Sequence, residues 1–322
     1  MHFGSPEYVG LIRKHNPNLP ARSFGSTAGA DLRPRADSNH RNILDIDDVD
    51  TPIYRIVPLD RACRNIQSKT SSLTRTGKWG DPFENFLHRA KAELPSGEPV
   101  DLGKLRDQYF GQCWTLNEET DAMWRIYSSN QEGIKLCSTV RKVFDALYTQ
   151  VDDGRVNCFA GLVRYVPEEQ IVALMQHEEI ANAMLLNPTG QLQARTLLLK
   201  RLEFSHEAEV RFVRRISSHD QLFTEDYPSF AFDMNALIER IVLDPRCDDS
   251  GLARQSEALR AAGYEGAIER SRLYQLPAMT IRIRDTPPSF HPSRTIWDLL
   301  TTAVSVPLPD EARNDDTDDG QR

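Results

Sequence analysis

Cysteine is scarce in this 322-residue chain. The five residues, Cys63, Cys113, Cys137, Cys158 and Cys247, are scattered, odd in number and without a C-x-x-C pair. That usage argues against a disulfide framework or a thiolate zinc site and fits a reducing compartment. Long apolar runs are missing as well: no stretch approaches the roughly 20 residues of a membrane span. The opening Met-His-Phe-Gly-Ser-Pro lacks the basic and apolar regions of a secretory signal. The expectation is a cytoplasmic, bacterial-style protein with no membrane partner. Positive charge does not dominate either, since 39 Lys and Arg stand against 47 Asp and Glu, for a net charge of −8. This balance argues against broad electrostatic capture of nucleic acid. Arg211, Arg214 and Arg215 do cluster, so a local basic groove, and nucleic acid as a partner, stays open. There is no Walker A loop, no G-x-G-x-x-G, no H-E-x-x-H and no G-x-S-x-G. The commonest motif routes to nucleoside triphosphate, dinucleotide-fold, zinc-protease and serine-hydrolase chemistry are thereby closed.

What the chain does contain is a mixture of helix and strand signals between polar ends. Residues 1–50 are rich in Pro, Gly, Ser, Asn, Asp and Arg and read as a flexible N-terminal arm. Residues 287–322 read as a short amphipathic helix around Trp297, followed by a disordered acidic tail. Between them, 51–286 is expected to form the main domain. Strands are predicted at 53–57, 133–137, 157–166, 196–204, 210–216, 238–243, 267–270 and 279–284. Helices are predicted at 81–92, 102–109, 118–128, 139–151, 168–186 and 251–262. Strands crowd the second half without regular βαβ alternation. The expected fold is therefore α+β, a mixed, mainly antiparallel sheet flanked by helices.

The segment 113–138 is the most structured to read. Thr115 or Asn117 is placed to cap a helix, and Thr115 with Glu118 has capping-box spacing. Met123, Trp124, Ile126 and Tyr127 then make an apolar stripe that Gly133 ends. Core packing is the default for most of these aromatics, although Trp114, Trp124 and Tyr127 could stack on a planar ring. At Gly80–Glu84, Asp81 caps, Pro82 takes the first helical position and Glu84 completes a box. Ser138 and Thr139 are placed to cap the following helix, and Asp244 and Arg246 to fix a loop.

Residues with chemistry in them are fewer. In a strand, Glu207, Glu209 and Arg211 would share one face, while Val210 and Phe212 face the core. Such a Glu-x-Glu pair can hold a hydroxyl or steady a developing cation, as sugar chemistry requires. The alternative, and the commoner fate of such a pair, is a solvated face with weak ion pairs. His206 could act as acid or base but has no placed partner. Arg55, opposite Tyr54 and Ile56 on an early strand, is either an edge charge or a fork for phosphate or carboxylate. A metal site, and with it a nuclease, would need Asp81, Glu84, Glu207 and Glu209 to converge, and none is predicted.

Several separated blocks recur together in one family. They are Tyr54-Arg55, Asp81-Pro82-Phe83-Glu84, Cys113-Trp114-Thr115, Met123-Trp124-Arg125-Ile126-Tyr127, Gly133-Ile134, Lys200, His206-Glu207-Ala208-Glu209-Val210-Arg211 and Ile241-Val242-Leu243-Asp244-Pro245. In this order they resemble the bacterial domain of unknown function 2971 family over roughly residues 52–275, with Gly80 and Phe204 as departures. The layout is also similar to that of ADP-ribosyltransferases, with an early Arg, a mid-chain aromatic block and a Glu-x-Glu on a late strand. That resemblance implies NAD as the substrate. Arg55 would meet its phosphates or ribose, and Trp114 or Tyr54 would stack near nicotinamide beside Thr115. Glu209 would steady the oxocarbenium-like transition state, and Glu207 would orient the acceptor. The function so implied is an NAD-consuming effector, a toxin or antiviral defence component, acting on a macromolecular target and restrained by a neutralising or regulatory protein. The competing expectation is a non-catalytic or nucleic-acid-directed effector that uses the aromatic helix and the strand bearing Arg214 and Arg215.

Overall fold

The computed structural model describes residues 42–93, 96–100, 102–148, 158–185, 190–216 and 220–282. Its main sheet is built from β1 (Ile43–Leu44), β2 (Pro52–Pro58), β3 (Thr74–Arg75), β4 (Tyr109–Thr115) and β5 (Gly133–Thr139). It continues with β6 (Cys158–Leu162), β7 (Glu209–Arg215), β8 (Arg240–Leu243) and β9 (Ala267–Arg270). The strand order is β1-β6-β7-β4-β2-β5-β8-β9, with β3 on β4. Only the outer pairs, β1 with β6 and β8 with β9, are parallel. This is the mixed, mainly antiparallel α+β sheet that the strand pattern predicts.

Period-two alternation gives the sheet two faces of different character. Ile53 and Val57, Phe110 and Trp114, Ile134 and Leu136, and Val210 and Phe212 belong to one continuous core on one face. Three helices cover that core: Leu59–Ser68, Val140–Tyr148 and Asp249–Ala261. The Val140–Tyr148 helix buries Val140, Val143, Phe144 and Leu147, the i, i+3, i+4, i+7 stripe of a core-facing helix. The opposite face carries smaller apolar clusters. Tyr109, Leu197 and Val213 form one, and Tyr54, Cys137 and Val242 another. Between these two clusters the second face turns polar.

Several boundaries differ from expectation for local reasons. The helix expected at 118–128 starts at Asp121, and its cap is Thr120, whose Oγ1 accepts from Met123 N. Thr115 is unavailable as a cap because β4 runs through it, paired with Glu209. The helix ends at Tyr127, well before Gly133. A single helix over 168–186 is instead two, Glu168–Gln176 and Glu178–Leu185, parted by the extended backbone of His177. The 157–166 strand divides into Cys158–Leu162 in the main sheet and Arg164–Val166, which pairs in parallel with Leu199–Arg201. The Leu59–Ser68 helix was not anticipated: Pro58 precedes it and only Ala62 and Ile66 are buried in it. Thr139 Oγ1 accepts from Lys142 N at the head of the next helix, whereas Ser138 Oγ donates to Leu237 O. The sheet begins at Ile43, inside the range read as an arm. The readings for residues 1–41 and 283–322 lie outside the described residues. Contacts divide the chain into Met1–Gln275 and Leu276–Arg322, and of the second unit only 276–282, without helix or strand, are described.

The loop after β8 ties the aromatic helix down. Asp244 is fully buried, accepts from Ser128 Oγ at 2.6 Å and is gripped by Arg246. Arg246 Nη2 also donates to the carbonyls of Trp124 and Ser128, closing the helix end. Replacing Asp244 by Ala strands Arg246 among those carbonyls. Urea unfolding is expected to show a loss of about 3 kcal/mol.

Candidate active site

The strand β7 opens on a charged pair that the rest of the polar face is built around. Glu209 and Arg211 share a face, as residues two apart on a strand must. Arg211 Nε and Nη2 fork onto the two Glu209 oxygens, each at 2.9 Å. Neither is solvated: Arg211 is fully buried and Glu209 nearly so. The expected exposed face with weak pairs is therefore replaced by an interior ion network. Trp79 lies over the Arg211 guanidinium at 4.4 Å from its ring centre.

Two other segments complete the network. In Leu199–Arg201, successive side chains point opposite ways, and both grip the 81–85 turn. Lys200 Nζ meets Glu84 Oε1 at 2.8 Å, while Arg201 forks onto Asp81. Asp81 still caps the Pro82–Asn85 turn through Phe83 N. Glu84 does not complete a box there, because its carboxylate is turned to Lys200 and to Arg211 Nη2 at 3.0 Å. Lys200 also holds Glu207 Oε2 at 2.5 Å and Glu209 Oε2 at 3.3 Å. Glu207 is not in β7. It ends the Leu202–Glu207 turn, before Ala208 at φ 42°. Thr115 Oγ1 donates to the Glu207 carbonyl at 2.5 Å and pins that turn to β4.

Electrostatically, the network holds three carboxylates against two cations. Burial opposes the Glu209 charge, but Arg211 and Lys200 overcome it and hold the carboxyl at about 2. Burial likewise opposes the Lys200 ammonium, yet Glu209, Glu84 and Glu207 keep it charged well above the ordinary lysine range. Cys113, opposite Arg211 in the ladder, is pushed far up by burial and by Glu209, to which it hydrogen-bonds as a neutral thiol.

The network lies against a cleft of about 490 Å³. The cleft exists because the sheet opens in its middle: β2 pairs with β4 only at Tyr54 and Thr115, while β3 takes the far end of β4 at Phe110 and Gly111. Arg55 to Pro58 on one side and Gly111 to Trp114 on the other line the gap. Side chains from both sheet faces reach it for this reason. Tyr54, Thr115 and Glu209 come from the polar face, Arg55 and Trp114 from the core face. All of these, with Glu207, line the one cleft.

Their availability differs. The Trp114 ring is buried in the core with its N–H given to Gln112 Oε1, and Tyr54 is nearly buried beneath Lys135. The more accessible aromatics on the cleft are Trp79 and half-exposed Tyr127. Arg55 has no hydrogen-bond or ion-pair partner among the described residues. Burial brings its guanidinium down to about 10, and nearby Arg61, also on the cleft, acts the same way. His206 is exposed and lends only its carbonyl, to Asn117. Arg214 is buried and Arg215 is bonded to Gln108, so this strand offers no open basic surface. Trp79, Arg61 and Lys200 are cleft residues that sequence patterning did not mark as a site, whereas Glu84 was weighed only beside a pocket or as one of four metal-binding carboxylates. Glu84, Glu207 and Glu209 do converge, but on the Lys200 ammonium. Among the described residues no group of three His, Cys, Asp or Glu is arranged to hold a metal ion.

No family model and no curated protein matches the chain. Among solved structures it is similar to Thermus sp. 2.9 DarT in complex with NAD+, at 14% identity and a TM-score of 0.33, over 70% of this chain and 97% of that one. The same protein in complex with ADP-ribosylated ssDNA aligns at 15% identity and 0.33, over 69% and 95%. Its complex with carba-NAD+ aligns at 14% and 0.31, over 69% and 96%. At such scores the likeness carries nothing about what this chain binds or does. The resemblance to the domain of unknown function 2971 family rests on the sequence blocks alone.

Two measurements check the network. The Glu209 carboxyl is depressed from an ordinary 4.5 to about 2, so its contribution is complete above pH 4.5 and is lost as pH falls toward 2. Stability should drop over that window by on the order of 3 kcal/mol, and Glu209→Gln should flatten this part of the profile. Gly111 is the second test, because a Cβ there would lie 2.6 Å from the Trp79 ring. Gly111→Ala should push the indole off Arg211 and cost about 1–3 kcal/mol in chemical denaturation.

Proposed function

We propose that this chain consumes NAD, transferring its ADP-ribose to a macromolecule or to water. The observation that carries the reading is that unpartnered Arg55 and the Glu207–Glu209 pair line the same cleft. An arginine half-buried without an anion pays its desolvation for nothing in the free protein. A ligand phosphate would supply the missing partner, with Arg61 alongside. A volume near 490 Å³ is within the range of small-molecule and cofactor sites, and Trp79 and Tyr127 offer ring faces to a planar group.

The carboxylates supply what glycosyl transfer needs. When the bond between ribose C1′ and the nicotinamide nitrogen breaks, its electron pair leaves with neutral nicotinamide and positive charge develops at C1′. A fixed carboxylate beside that carbon stabilises the charge without rearranging. An oxygen or nitrogen of the acceptor then bonds to C1′ and gives its proton to a carboxylate and on to solvent. Depletion of NAD or modification of a cell component fits a toxin or antiviral effector, and such an activity would call for a neutralising protein.

Arg55 separates a binding role from a structural one. Arg55→Met removes a charge that no described residue pairs with, so stability should hold or rise by about 1 kcal/mol. NAD binding, followed by calorimetry, should weaken at least about tenfold through the lost phosphate pairing. Nicotinamide release from NAD, with and without cell lysate, tests the activity itself. No release under either condition, together with unchanged NAD binding by Arg55→Met, would sink the reading.

A further inference from the structure

We propose that Glu207 is the carboxylate that meets the substrate in this cleft, and that Glu209 is a positioning residue that acts through Lys200 and Arg211. This deepens the NAD-consuming reading and reverses the roles that the layout of the Glu-x-Glu pair implies. A carboxylate offers about four lone-pair sites. Those of Glu209 meet three charged donors, Arg211 Nε, Arg211 Nη2 and Lys200 Nζ, inside an almost fully buried setting. A ribose hydroxyl arriving at Glu209 would have to displace one of them from a buried, charge-assisted bond.

Glu207 is placed differently. Its Oε2 receives Lys200, but among the described residues Oε1 has only the Tyr127 hydroxyl at 3.5 Å, at the outer limit of a hydrogen bond. Its side chain is 15% exposed against 5% for Glu209. Its backbone is held independently of its carboxylate, since Thr115 Oγ1 takes the Glu207 carbonyl. The Glu207 carboxylate is thus aimed by one strong bond and nearly open on the other oxygen, and Lys200 keeps Glu84 and Glu209 without it. Glu209 differs in its carboxylate: both oxygens are engaged and it is nearly fully buried. Its task is to hold Lys200, and through Lys200 the orientation of Glu207.

Four measurements on the full chain separate the roles. Glu207→Gln should keep the melting temperature and lose nicotinamide release by at least about 100-fold. Glu209→Gln should lower the melting temperature and, assayed below its transition, lose turnover only partly, by about tenfold, because Glu207 remains but is less firmly aimed. In Glu209→Gln the acid limb of the pH–rate profile should also move to lower pH, because Lys200 has one carboxylate fewer to share. A purely structural Glu209 would leave that limb in place. The fourth measurement needs no activity: carbodiimide-driven amidation followed by peptide mass spectrometry should label Glu207 faster than Glu209, and ADP-ribose should protect Glu207. Wild-type protein that releases no nicotinamide, with NAD binding unchanged in Arg55→Met, ends the functional reading, and labelling alone then decides between the two carboxylates. The assignment is overturned if Glu209 is the faster-labelled residue. It is equally overturned if Glu207→Gln turns over normally while folded Glu209→Gln is dead.

Discussion

Arg211 sits without solvent in the middle of a sheet face, and the surroundings of the cleft are arranged to make that tolerable. Four of its N–H bonds go to Glu209, Glu84 and the Leu197 carbonyl, and an indole covers its plane. Each partner belongs to a different part of the chain, so satisfying one buried guanidinium brings together β7, the 81–85 turn and the end of the Gln191–Thr196 helix. Lys200 then fastens the same carboxylates from the far side. Buried ion pairs are rarely the most stable way to fill a space. They do demand particular partners in particular places, and a preorganised site needs that property.

Much of the sheet was legible because its strands alternate plainly. Val210 and Phe212 against Glu209 and Arg211 fixed which way β7 faces, and Ile53 and Val57 did the same for β2. The burial of the charged side was not legible, since Glu84 lies far from β7 in sequence, and Lys200, nine residues before Glu209, reaches it only because the Leu202–Glu207 turn folds the chain back. Alternation shows that two side chains share a face without showing what else arrives there. The misplaced helix start has a similar cause. Thr115 has the local chemistry of a cap, but pairing with Glu209 holds it in a strand, and Thr120 takes the role. The Leu59–Ser68 helix, although not anticipated, was legible as well: Leu59, Ala62, Cys63 and Ile66 make the i, i+3, i+4, i+7 stripe of a core-facing helix, directly after Pro58.

The aromatic segment that reads so clearly in the sequence turns out to divide its work. Trp124 is completely buried, with its N–H on Glu119, and its backbone end is closed by Arg246. Tyr127, one turn further, is half exposed and faces Glu207 across the cleft. A single short helix therefore anchors itself with one ring and presents another.

The parting of β2 from β4 also gives the sheet an edge on its inside. Between Gln112 and Trp114 the β4 backbone has lost its ladder neighbour on that side, as has β2 beyond Tyr54. Main-chain donors and acceptors without a ladder neighbour on that side are identical whatever residues carry them. Recognition through them would survive side-chain drift that erases sequence similarity. The open stretch is also too short to template an added strand, so this inner edge gives a passing polypeptide little to pair with.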